Sequence, residues 1–157
     1  MTASSINEIK KELNTLDQDI LLALCMRMAR YKKENKELLT YLLFEAHNEQ
    51  AYIESIKEEI TELFKNLPGN THLLKKTLRK ILRIANKQIK YSGIKQTELE
   101  VRIFFCTKMK DAHIPRQHGT VLSNLYQQQI KKINAILGKL PEDIQGDYQR
   151  EVDNISR

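Results

Sequence analysis

Few residues in this chain combine the type and the spacing that chemistry needs. Asp111-x-His113, with His118 five residues further on, gathers three metal-type ligands in one segment. Three such groups are the usual protein donor set of an open zinc site. The spacing matches no standard ligand pattern, and Arg116 between the histidines would repel a cation, so a polar loop is the favoured reading. Glu45-x-His47-x-Glu49 is a weaker cluster, because residues two apart on a helix point in different directions. Cys106 lies in an apolar run, RIFFCT, with no histidine near it in sequence, the pattern of an inert buried thiol. No dinucleotide fingerprint, P-loop or nucleophile elbow occurs. The residues therefore predict a non-catalytic protein with no cofactor. A metal-dependent enzyme built on the 111–118 segment ranks last among the functional readings.

The strongest pattern is electrostatic. Lys75, Lys76, Arg79, Lys80, Arg83, Lys87 and Lys90 follow one another with no acid between them. On a helix they fall within an arc of roughly 140°. Leu74, Leu78, Ile81, Leu82, Ala85 and Ile89 take the opposite arc. Such a division predicts a helix whose back seals a core and whose front is a positive ridge, with Tyr91 at its end as a stacking surface for a base. Five lysines and two arginines suit point-charge contacts to phosphates better than bidentate base reading.

The rest of the chain must position that helix. Gly numbers 5 and Pro 3, with Trp absent, and the Ile and Leu recur at spacings of three and four. Both features favour long helices over a sheet. The expected fold is all-α: about six to eight antiparallel helices in a single domain over 1–157, a bundle or a short α-α superhelix, with a sub-boundary near 32–36. Capping boxes are read at Ser5/Glu8, Thr15/Gln18 and Thr97/Glu100, turns at Pro68-Gly69-Asn70 and Ser92-Gly93, and breaks near Asn14-Thr15 and within Lys32–Lys36. The helix from Thr97 is apolar on nearly every side and belongs at the centre. Tyr41, Phe44, Phe64, Phe104 and Phe105 read as core aromatics, and Cys25 and Cys106 as buried free thiols.

Charge distribution narrows the partner. Residues 1–70 carry nine cations against twelve acids, a balance of −3; residues 71–116 carry twelve against three, +9; residues 117–157 balance. The overall +6 thus belongs to the middle third, which points to an acidic partner. Nucleic acid is the first candidate and an acidic protein the second. The rival reading is an adaptor whose basic face is merely solvated, muted by Glu54, Glu58, Glu59 and Glu62 on the preceding helix. The longest apolar run, Ile20 to Met26, is too short to span a bilayer, and no leader is evident, which predicts a cytoplasmic protein. Apolar residues from Ile6 to Tyr31 recur at nearly heptad spacing, so a homodimer through 6–31 is a further expectation.

Overall fold

A computed structural model describes residues 1–114 and 120–157, and every described element is helical. The all-α expectation is met, with eight α-helices and no strand among the described residues. The chain divides into two compact units, 1–44 and 45–157, so the division falls after the 32–36 segment.

The first unit holds α1 (Ile6–Leu13), α2 (Gln18–Tyr31) and α3 (Lys33–Thr40). Ser5 starts α1 through the expected capping box: its Oγ accepts from the Glu8 amide at 3.3 Å, and Glu8 accepts from the Ser5 amide at 2.8 Å. That backbone donor holds the Glu8 carboxyl below its ordinary range. The second box does not form. Thr15 gives its hydroxyl to the Glu12 carbonyl at 2.7 Å, and Asp17 becomes the cap residue of α2. Lys32 alone is extended and separates α2 from α3, so the rest of the Lys32–Lys36 segment is helical. The two helices pack on each other, and Leu21 and Ala29 of α2 and Leu39 of α3 are half-buried.

Burial in this unit corrects the sequence reading. Only Tyr41, at the start of a π-helical turn (Tyr41–Glu45), is buried. Phe44 is 64 % exposed, Cys25 is exposed, and Ile6, Leu22 and Met28 face water. The periodicity was amphipathic, but α1–α3 contain no further layer to enclose that face.

The second unit contains α4 (Glu49–Phe64), α5 (Thr71–Ser92), α6 (Lys95–Asp111), α7 (Val121–Leu137) and α8 (Glu142–Ser156). Helix α6 packs against the other four, as its all-round apolar surface predicts. Leu99, Val101, Ile103, Phe105, Cys106 and Met109 are all buried on it. Phe105 meets Phe64 edge-on at 5.7 Å between ring centres. The third expected capping box is absent: Ile94 caps α6, and the Thr97 hydroxyl donates instead to Glu49 at 2.6 Å. A distant carboxylate thus won over the local cap.

Side-chain bonds give the helix directions. Tyr52, early in α4, donates to the Gln88 carbonyl late in α5, so these two run antiparallel. Tyr126, early in α7, donates to the Ile155 carbonyl at the end of α8, with the same result. Glu49–Thr97 and Lys57–Glu100 align α4 with α6; Gln96–Tyr148 and Lys110–Asn154 align α8 with α6. It follows that α5 and α7 both oppose α6 and run parallel to each other. They meet α6 but leave a groove between themselves, as α4 and α8 do elsewhere on α6.

Candidate anion-binding face

Helix α5 is the longest in the protein and is closed at both ends by its own sequence. Asn70 accepts from the amides of His72 at 2.9 Å and Leu73 at 3.2 Å. At the other end Gly93 takes φ 68°, the left-handed conformation that lets its amide reach the Ile89 carbonyl at 2.9 Å. Between these caps Leu78, Ile81, Leu82, Ala85 and Ile89 are buried, so the apolar arc read from the sequence is the packed one.

The basic arc faces outward. Lys76, Arg79, Lys80, Arg83 and Lys90 are exposed, while Lys75, Lys87 and Tyr91 are half-buried. Among the described residues, no carboxylate lies within ion-pairing distance of Lys75, Lys76, Arg79, Lys80, Arg83 or Lys90. Of the α4 acids, Glu54, Glu59 and Glu62 are engaged elsewhere. Glu54 pairs with Lys57 at 2.9 Å, and Glu62 pairs with Lys65. Glu59, the acid expected to mute the ridge, accepts from the Gln88 amide at 2.9 Å instead. Gln88 is held for that role by Tyr52, whose one hydroxyl hydrogen is shared between the Gln88 Oε1 at 2.8 Å and its backbone carbonyl at 3.1 Å.

The sequence reading missed the groove beside this ridge. Two adjoining hollows, one of about 500 Å³ between α5 and α7 and one of about 380 Å³ between the end of α5 and the start of α6, share Asn86 and Lys132. Arg79, Arg83 and Asn86 form one wall; Asn124, Gln128 and Lys132 form the other. A signal for the second wall existed, because residues 124, 128 and 132 are spaced four apart and fall on one stripe of α7. Arg102 and Glu98 of α6 line the smaller hollow. Arg102 is only 6 % exposed and is fully engaged. Its Nε and Nη2 reach Glu98 at 3.0 and 2.8 Å, and its Nη1 reaches Gln129 Oε1 at 2.8 Å. Burial raises the Glu98 pKa, but bonds and charge from Arg102 and Lys95 outweigh it and leave the carboxyl below its ordinary value.

The groove between α4 and α8 has a different character. Glu100 accepts from Tyr148 at 2.6 Å and pairs with Lys57 at 3.3 Å, while Gln96 donates to Tyr148 at 2.7 Å. Desolvation, reinforced by Glu100, pushes the Tyr148 phenol up to about 12. Desolvation works against a charged Lys57, yet Glu54 and Glu100 raise its pKa overall. Lys108 lies over the ring of Phe104, a residue of this groove's lining, 5.3 Å from its centre.

The other sequence candidates do not converge. Asp111 ends α6 and His113 follows in a turn with φ 51°; His118 lies outside the described residues. No group of three metal-type ligands occurs among the described residues. Cys106 is buried, and desolvation raises its pKa to about 12 against the opposing charge of Arg102, so it is a thiol at neutral pH. No helix of the described residues is long and apolar enough to cross a membrane. No protein-family model, curated protein or solved structure matches the chain.

Proposed function

We propose that this is a non-catalytic helical interaction protein that binds a polyanion, nucleic acid first, along the exposed face of α5. One observation carries the reading: six cations share one side of a rigid helix, and none has a carboxylate within pairing distance among the described residues. Mixed signs are usual on a solvated face. From Lys75 to Lys90 the ridge spans about 22 Å, enough to meet several phosphates. Contacts of this kind release counterions, so the affinity falls with salt at a log–log slope of about −0.9 for each duplex phosphate engaged. The test is retention on a DNA or heparin column and the salt dependence of binding. Changing Lys76, Arg79, Lys80 and Arg83 together to Glu removes the retention; unchanged retention ends the proposal. An acidic protein is the next partner the same charges would attract, and a cytoplasmic setting agrees with two free thiols.

A second reading, a protein–protein adaptor, has its own observation. The first unit leaves Ile6, Leu22, Met28, Tyr31, Leu43 and Phe44 exposed. The homodimer through 6–31 is the specific form of this reading, although the span is two helices broken at Asn14–Asp17 rather than one heptad run. Light scattering separates a monomer from a dimer directly.

A further inference from the structure

We infer that the ligand of the basic face is single-stranded, and that the groove between α5 and α7 receives an unpaired base from it. The inference rests on the nucleic-acid reading of the α5 ridge and adds the form of the nucleic acid and the residues that meet the base.

The groove's composition differs from that of the ridge. The ridge proper is lysine and arginine, whereas the groove adds four amides: Asn86, Asn124, Gln128 and Gln129. Amide side chains pair a donor with an acceptor, which is the pattern that matches base edges. Arg79, Arg83 and Lys132 stand among them with no carboxylate partner among the described residues, so phosphate and base contacts lie side by side. Guanidinium planes also stack on bases, a role open to Arg79 and Arg83 in a groove with no aromatic in its lining.

Two of the amides carry more specific information. The Oε1 of Gln129 is taken by the buried Arg102, itself anchored on Glu98, so that amide is held in one orientation and its nitrogen remains a donor. Asn86 sits where the two hollows meet, and its Oδ1 is the one buried side-chain polar atom without a hydrogen-bond partner among the described residues. A buried acceptor left unmet is unusual. An exocyclic amino group of a base at that junction supplies the missing donor once the Asn86 amide turns its covered Oδ1 toward the groove.

Shape selects the single strand. Helices α5 and α7 wall the groove on both sides, and a hollow of about 500 Å³ is the size of a small-molecule pocket. A base can enter it; a duplex can only rest across the rim, with its pairing edges already occupied. Sequence-specific contacts to unpaired bases use those same edges.

The experiment is fluorescence anisotropy on the full chain. It uses a labelled single strand of mixed sequence and the same strand annealed to its complement, at one fixed salt concentration. The wild type is expected to bind the single strand about ten-fold more tightly than the duplex. Asn124→Ala with Gln128→Ala, both exposed positions on a helix, removes that preference while duplex affinity and its salt slope stay unchanged. Equal affinity of the wild type for the two forms, or a double variant that keeps the preference, overturns the groove assignment and leaves the ridge reading standing. Absence of binding to either form overturns both.

Discussion

The two grooves beside α6 treat charge in opposite ways. Between α4 and α8, Lys57 and Glu100 answer each other's charge, with Tyr148 and Gln96 bonded into the same cluster. Between α5 and α7, the wall cations Arg79, Arg83 and Lys132 have no carboxylate partner among the described residues. Groups that satisfy each other contribute to the fold. Exposed groups that do not are cheap to remove from the fold and available to a ligand. The contrast recurs inside the second groove, where its floor residue Arg102 is closed by Glu98 and Gln129 while its walls stay open.

The largest effect expected at a polar residue tests that internal contrast. Arg102→Ala strands Glu98 without its main partner and leaves Gln129 Oε1 without a donor. Breaking a buried pair by deleting one member costs about 3–5 kcal/mol. Glu98 keeps 19 % side-chain exposure, so about 2–3 kcal/mol is expected here. Arg83→Ala, the same chemical deletion on the wall, is expected to stay within about 0.5 kcal/mol of wild type. Urea midpoints at unchanged slope measure both. Equal costs would erase the distinction between floor and wall.

A smaller effect concerns the closed groove. Glu100→Ala removes the acceptor of Tyr148 and a partner of Lys57, and a cost of about 1–2 kcal/mol is expected. A double-mutant cycle on Lys57 and Glu100 should show coupling of about 0.5–1 kcal/mol. The matching cycle on Glu59 and Arg83 should show none, because Glu59 is bonded to Gln88 rather than to the ridge.

The grooves also separate along the pH axis. Tyr148 has a folded pKa raised from 10.0 to about 12, so the stability it contributes is complete below pH 10 and is lost as pH rises toward 12. Lys57 acts in the same direction, since its folded value lies above 10.5. Glu98 is depressed, so its contribution is present above about pH 4.5 and is lost as pH falls through the lowered folded value. Tyr148→Phe is therefore expected to flatten the alkaline limb of the stability profile and Glu98→Gln the acid limb. Thermal midpoints across the pH range test this, and a variant that alters the wrong limb contradicts the assignment.

These contrasts explain what was legible in the sequence. The α5 ridge was, because its cations and its buried leucines belong to one helix with one period. The centrality of α6 was legible for the same reason. The groove was not, because it exists only once α7 runs parallel to α5 across α6. Thr97 was misread as a cap because its acceptor, Glu49, lies 48 residues away. The Lys57–Glu100–Tyr148 network likewise joins residues 43 and 48 apart, which no local pattern announces. In the first unit the period of α2 was read correctly and its burial was not, since a stripe of apolar residues says what a helix is suited to pack against and not whether α1–α3 supply it.

The smallest expected effect comes from that unit. Leu22 is 62 % exposed and Met28 64 % exposed, so each already meets water in the folded chain. Changing both to Ser should move the monomer's stability by no more than about 0.5 kcal/mol each, the usual range for surface positions. Leu78, fully enclosed on α5, provides the opposite case: Leu78→Ala should cost about 2–5 kcal/mol. A loss at Leu22 and Met28 that approaches the Leu78 value would mean that these side chains are covered in solution. If the apparent stability then also rises with protein concentration, the cover is a second copy, because only association makes folding depend on concentration. That outcome would turn the homodimer through 6–31 from the second reading of this protein into a structural requirement of its first unit.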